Sequence, residues 1–260
     1  MSRNFELLHE VGKAQEMLRQ QMLEELPAEP LRISSAVPAE TFIPGTPSLR
    51  IDGTAKQEVT KLVHQLFLAP GTSRPRQIVF VGTEAGNGCS WICAHAADIL
   101  ASQCSRSVCV VDCDVRFPTL HEEFNVRNHY GLAEALQGDE PIRQFVQQLS
   151  HRNLWLLSCG ALSDNSQQML TLDRMRKRLA ELRNEFDYVL LDVAPMNTAN
   201  HGVLLGTWCD GVALVLKANS SNRKAALKAL DELRTANAPV VGAVLNQRTF
   251  PIPEAIYNRL

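Results

Sequence analysis

The chain has 260 residues, 45% of them hydrophobic and 21% charged, an ordinary composition for a globular domain with an extension. A formal net charge of -2 gives no general attraction to nucleic acid or to an anionic membrane surface. No apolar run approaches the roughly 18 to 20 residues that a bilayer-crossing helix needs, and the first residues, MSRNFELLHEVGKAQEML, lack the apolar core and cleavage site of a signal peptide. The cysteines number seven and fall inside apolar strand and helix patterns, which excludes a loop-rich disulfide scaffold and leads us to expect a reducing, cytoplasmic setting.

Taken in chain order, residues 1–26 carry apolar positions at Phe5, Leu8, Val11, Leu18 and Met22, the spacing of a helix that either meets a partner or lies solvated. Residues 27–54, rich in Pro, Ser, Thr and Ala, read as a linker. Residues 55–260 form the expected compact domain. It opens with a helix over about Ala55 to Leu68, closed off by Pro70, Gly71 and Pro75. The strand QIVFVG (Gln77 to Gly82) leads through a glycine-rich turn into a helix from about Ser90 to Cys104. SVCVVD from Ser107 and NLWLLS from Asn153 are further strands, followed by a helix with Met169, Leu172, Met175, Leu179, Leu182 and Phe186 at helical intervals. DYVLLD from Asp187, GVALVL from Gly211, a helix from Arg223 to Ala236, and PVVGAVLN from Pro239 complete the pattern. Near-continuous apolar strands alternating with helices predict an α/β fold, a three-layer sandwich around a mostly parallel sheet of about six to seven strands. In such sheets ligands bind at the carboxyl ends of the strands.

Three segments end at that edge. Val81-Gly82-Thr83-Glu84-Ala85-Gly86-Asn87-Gly88-Cys89-Ser90 joins a strand to a helix, the setting of a P-loop, whose backbone N–H groups curl around phosphate. A working P-loop places a lysine after its last glycine and then Ser or Thr to bind magnesium. Ser90 is present, but Cys89 holds the lysine position. The second segment, VCVVDCDVRFP, ends with Asp112, Asp114, Arg116 and Pro118. Its two acids either hold magnesium and orient an attacking hydroxyl, or cap the following turn. The third, FDYVLLDVAPM, delivers Asp192 at a strand end, where an acid contacts magnesium through water in P-loop proteins.

In this order the segments resemble the bacterial tyrosine kinases of capsule and exopolysaccharide synthesis, relatives of the cell-division and plasmid-partition ATPases. The matching positions are Gly88 and Ser90, then Asp112, Asp114, Arg116 and Pro118, then Asp187, Tyr188, Asp192 and Pro195, with Gly242 and Val244-Leu245-Asn246 as further echoes. The resemblance covers about residues 55 to 260 and implies a P-loop NTPase-like fold binding ATP or ADP with magnesium. It assigns Asp112, Asp114 and Arg116 to catalysis and Gly86, Asn87, Gly88, Cys89, Ser90 and Asn246 to the nucleotide, with Asn246 near its base. Ser90, Asp112, Asp114 and Asp192 are its magnesium set. It further implies a membrane chain-length regulator (a polysaccharide co-polymerase) as partner, a homo-oligomer, no nucleic acid, and a cytoplasmic chain held at the inner membrane through that partner.

The departures bear on activity. Cys89 removes a positive charge, Glu84 adds a negative one, Trp91 adds bulk, and Ala194 and His201 stand where the family has proline and aspartate. Glu58, Lys61 and His64 keep the spacing of the family's oligomerisation helix with weaker charge, and Tyr257 stands where a tyrosine cluster is usual. We therefore expect weakened or lost phosphotransfer, in a kinase-family protein or a non-catalytic scaffold. A switch ATPase of the division type ranks third, because Glu84 occupies about the place of its extra lysine. A redox or metal role for Cys89, with Cys93 or Cys113, is a separate expectation from a thiol at a helix N-terminus.

Overall fold

The computed structural model describes residues 49–51, 53–69, 75–149, 151, 153–161 and 173–248. The expected N-terminal helix, nearly all of the expected linker, Met169, Leu172 and Tyr257 lie outside the described residues. The elements in order are α1 (Gly53–Val63, continued by a wider π turn at His64–Leu68), β1 (Gln77–Gly82), α2 (Cys89–Gln103), β2 (Val108–Cys113), α3 (Leu120–Glu123), α4 (Leu132–Gln137), β3 (Gln147–Gln148), β4 (Leu154–Leu157), α5 (Asp173–Glu185), β5 (Tyr188–Val193), α6 (His201–Trp208), β6 (Gly211–Lys217), α7 (Arg223–Thr235) and β7 (Val240–Asn246). They build a seven-stranded sheet in the order β3-β4-β2-β5-β1-β6-β7, parallel throughout except for β3 against β4. This is the expected α/β architecture.

Period-two alternation sorts the strand residues between two cores. Ile78, Phe80, Val108, Val110, Tyr188 and Leu190 face one way and pack with α1 and α2. Val79, Val81, Cys109, Val111, Val189 and Leu191 face the other way, against α4, α5, α6 and α7. The central strands are buried along their whole length, so their apolar runs are continuous. By contrast β7, at the sheet edge, alternates half-buried and exposed residues.

Three elements escaped the sequence pattern. β3 is two glutamines long and carries no apolar signal. α3 is a single turn. α6 has no charged residue and two glycines, which reads as a loop. Those glycines let α6 lie directly on the sheet: a Cβ on Gly202 would meet Val81 Cγ2 at 2.7 Å, and one on Gly206 would meet Val212 Cγ2 at 2.6 Å.

The amino ends of the strands are tied by polar contacts. The Arg76 side chain donates to the carbonyls of Asp187, Arg183 and Phe186, while its backbone N–H and that of Gln77 donate to Asp210 Oδ2 at 2.7 and 2.9 Å. Arg183 Nη1 pairs with Asp210 at 2.8 Å. Backbone N–H donation from Ser107 holds the Asp187 carboxyl below its usual range.

Arg178, buried on α5, gathers the chain after α4. It donates to the carbonyls of Ala135 at 2.7 Å, Gly138 at 2.8 Å and Glu140 at 2.8 Å, and lies over the Phe145 ring. Each such bond contributes about 1 kcal/mol net, and a carbonyl left buried without a partner costs more. We expect Arg178→Ala to lower stability by about 3 kcal/mol, seen as a lower urea midpoint at an unchanged slope. An unchanged midpoint would show that water replaces the guanidinium freely.

Candidate functional site

β1 ends at Gly82, and the turn to α2 needs glycine at two places. Gly86 has φ +80° and Gly88, the residue capping α2, has φ +74°, a region that side chains rarely adopt. The first N–H groups of α2 have no acceptor within the helix, and Gly88 supplies no side chain to cap them. The result is a ring of donors at the positive end of a helix dipole, which favours an anion.

Side-chain amides hold this turn in shape. Buried Asn87 donates through Nδ2 to Thr83 Oγ1 and to the Val215 carbonyl of β6, both at 3.0 Å. Asn246, the last residue of β7, donates through Nδ2 to the Asn87 carbonyl at 2.9 Å. Gln247 reaches the Gly86 carbonyl at 3.3 Å. On the other side, the N–H groups of Met196 and Asn197 bond to the carbonyls of Gly82 and Thr83. Sequence reasoning missed Thr83 and Gln247. Asn246, expected near a nucleotide base, also ties the end of β7 to the loop backbone through its bond to the Asn87 carbonyl.

The acids reach the turn through strand register. β5 lies between β1 and β2, with Asp192 beside Phe80 on one side and Asp112 on the other. Both aspartates have the parity of Tyr188, Leu190, Val108 and Val110, so they share the sheet face covered by α2. The Ser90 hydroxyl and the Cys89 thiol stand beside Asp192 and favour its ionised form, although neither makes a well-aligned hydrogen bond to its buried oxygens. Burial outweighs them and pushes the Asp192 carboxyl up to about 7. Burial, with Asp192 as a like-charged neighbour, also raises Asp112 well above its usual range.

Asp112 and Asp114 also shape the turn that follows β2. Asp112 accepts from the N–H groups of Asp114 at 3.2 Å and Leu120 at 3.0 Å, and Asp114 accepts from Arg116 and Phe117, each at 3.1 Å. Arg116 is exposed and its Nη1 lies 3.5 Å from the Thr198 carbonyl, bridging two loops. Among the described residues no group of three His, Cys, Asp or Glu side chains is arranged to hold a metal ion directly. Asp112, Asp114 and Asp192 are therefore not arranged as a direct three-carboxylate metal site. What fits a hydrated divalent cation is Ser90 with the unpartnered oxygens of Asp192. The turn presents its backbone N–H groups and carries no cation at Cys89.

The surroundings of Cys89 bear on its thiol chemistry. Cys89 is half-buried, and desolvation there, then the neighbouring Asp192, raise its pKa above the usual value, while burial does the same for the fully buried Cys93 and Cys113. At the mouth of the helix these surroundings favour the thiol form of Cys89 over the thiolate. We expect iodoacetamide to modify Cys89 more slowly than free cysteine at about pH 8. Faster modification, followed by peptide mass spectrometry, would restore the redox reading.

A buried carboxyl raised in the folded state keeps a proton that the unfolded chain has released. Between about pH 4 and about pH 7 its contribution to stability thus falls as the pH rises. Asp192→Asn removes this effect. Relative to the parent, the variant should gain about 2 to 3 kcal/mol on going from about pH 5 to about pH 8, measured by urea unfolding. A difference that stays flat with pH would show that Asp192 titrates normally.

Comparison with known proteins agrees with this fold. The family profile described as "Cellulose biosynthesis protein BcsQ" matches residues 76–232, more than half of the chain. Tyrosine-protein kinase YwqD of Bacillus subtilis is 28% identical over 171 residues, covering 66% of this chain and 72% of YwqD. Tyrosine-protein kinase Etk of Escherichia coli is 25% identical over 203 residues, 77% of this chain but 28% of Etk. The solved kinase domain of that Escherichia coli kinase superposes with a TM-score of 0.69 at 22% identity, covering 76% of this chain and 79% of the domain. The cell division ATPase MinD of Pyrococcus furiosus shares the fold, with a TM-score of 0.58 at 20% identity over 71% of this chain and 79% of MinD. Among the described residues no helix is long and apolar enough to cross a membrane.

Proposed function

The chain belongs to the cellulose biosynthesis protein BcsQ family, and from that premise we propose that it is a P-loop protein of bacterial polysaccharide biosynthesis that binds Mg-ATP or Mg-ADP weakly and has weakened or lost phosphotransfer. The observation behind this reading is that a cysteine, Cys89, opens α2 directly after Gly88, where a P-loop carries its lysine. When bound, magnesium would supply charge neutralisation at the outer phosphates, held through Ser90 and Asp192. This chain's own part is to orient the phosphates on the amides of Gly86 to Ser90. Phosphoryl transfer rests mainly on positioning and on neutralising spread charge. Removing one well-placed donor costs on the order of 3 to 4 kcal/mol, and a thiol cannot replace the lysine.

The relatives named tyrosine-protein kinases supply the alternative of an active autokinase, with Asp112 or Asp114 as base. Both acids already cap the turn after β2, and Arg116 bridges surface loops. That favours a role in assembly over catalysis, as the cytoplasmic partner of a membrane chain-length regulator, alone or as a homo-oligomer.

Isothermal titration of Mg-ATP into the parent and Cys89→Lys, with an autophosphorylation assay on both, tests the proposal. We expect Cys89→Lys to bind about 10- to 100-fold more tightly, the range for one charge-assisted hydrogen bond. Robust autophosphorylation by the parent would overturn the loss of catalysis. No binding by either protein would overturn the cradle itself.

A further inference from the structure

Away from the glycine turn, α2 and the chain between β3 and β4 bring together a second group of buried ionisable side chains. We propose that Asp98, His95 and His151 form a proton-operated clasp: with its proton bound it fastens the β3–β4 turn to α2, and loss of the proton loosens it.

Asp98 and His95 lie one helical turn apart on α2 and are 8% and 2% exposed. From the turn, His151 Nε2 comes within 3.1 Å of Asp98 Oδ1, an ion-pair distance once the imidazole is protonated. His95 Nδ1 donates to the Trp91 carbonyl at 2.9 Å, and its ring stacks on the Trp91 indole at 4.0 Å. In the neutral ring this leaves Nε2 as a buried lone pair. His95 Nε2, Asp98 Oδ1 and His151 Nε2 are all shielded from solvent, and none makes a well-aligned hydrogen bond. Buried polar atoms are rarely left so. A proton at this group converts an unmatched carboxylate and imidazole into a charge-assisted pair.

The charges around Asp98 set the sign. Burial raises its carboxyl above the usual range, while His151, His95 and Lys56 of α1 draw it down. The other charges of the packed elements are turned elsewhere. Glu58 and Lys61 of α1 pair with each other, and His121 of α3 faces Glu122 at 4.0 Å. Tyr188 of β5 meets Phe67, and within β1, β2, β4 and β5 the charged side chains are Asp112 and Asp192, at the carboxyl ends. A carboxyl raised in the folded state holds its proton more tightly there than in an opened turn. The imidazolium beside it is lost over the range in which histidines discharge, about pH 5 to 8. Both effects weaken the clasp as the pH rises from about 4. Asn153 provides a fixed reference beside it. Its Nδ2 lies 2.9, 2.8 and 2.9 Å from the carbonyls of Ala101, Cys104 and Arg106, contacts that carry no titrating group.

Hydrogen exchange on the full chain at about pH 6 and about pH 8, corrected for intrinsic rates, tests the clasp. The N–H groups of Leu149 and Leu154 report on the turn, since they bond to the carbonyls of Leu154 at 2.9 Å and His151 at 3.1 Å. Referring them to the amides of β5 removes any change in global stability. In the parent, protection of the turn should fall about 10-fold between the two pH values, as expected for one charge-assisted pair. In Asp98→Asn and in His151→Gln it should change less than about 2-fold over the same interval. A flat parent overturns the clasp, and so does a full drop that persists in either variant. Should Asp98→Asn fail to fold, His151→Gln decides alone, because the His151 side chain is 31% exposed and can be replaced without opening the core.

Discussion

Two carboxylates held in register on adjacent buried strands, beneath an amide-lined turn, set the terms for everything else at the carboxyl edge of the sheet. Asp112 and Asp192 sit side by side on the α2 face, in surroundings that resist charge. Such a pair costs stability when ionised, because like charges at short range in a poorly solvated site cannot both be stabilised. A cation between the strands and the turn would relieve that cost, and the unpartnered oxygens of Asp192 are where it would act. The opposing element is missing: where a P-loop places a lysine, this chain places a thiol whose ionisation is disfavoured by desolvation and then by Asp192. Carboxyl oxygens without partners and a turn without its lysine thus meet at one edge of the sheet, and the proposed weakening of phosphotransfer rests on that combination.

Much of this was legible in the sequence, for a physical reason. Strands buried on both faces are written as unbroken apolar runs, and an aspartate closing such a run marks the point where the chain leaves the core. Gln77 to Gly82 and Tyr188 to Val193 were readable on that basis, as was the arrival of Asp192 beside the glycine turn. The features that escaped have no local signature. β3 is short and polar, and α6 is apolar on all sides, so neither shows a period. The bond from Asn87 to Val215 joins residues far apart in sequence, and only the order of strands brings them together. Asn246 illustrates the limit well. Its position at a strand end was readable, but the direction of its amide depends on a loop contributed by the first strand.

The acids after β2 show how one residue serves two readings. Asp114 caps its own turn through the N–H groups of Arg116 and Phe117, as a structural aspartate does. Asp112 does the same for Leu120 while facing Asp192. Motif spacing alone cannot separate these roles, since an acid that shapes a loop and an acid that meets a ligand both belong at a strand end. The accounting of hydrogen bonds separates them: Asp112 and Asp114 are largely occupied, and Asp192 is not.

The knot of Arg76, Arg183, Asp187 and Asp210 lies at the far end of the same strands, where every partner is matched. Robustness and recognition are therefore housed at opposite poles of one sheet. The pole with the glycine turn carries Cys89 where a P-loop has lysine, while the matched pole keeps the strands aligned. An engineer wishing to rebuild the chemistry could revise the ligand pole freely and leave the anchoring pole alone.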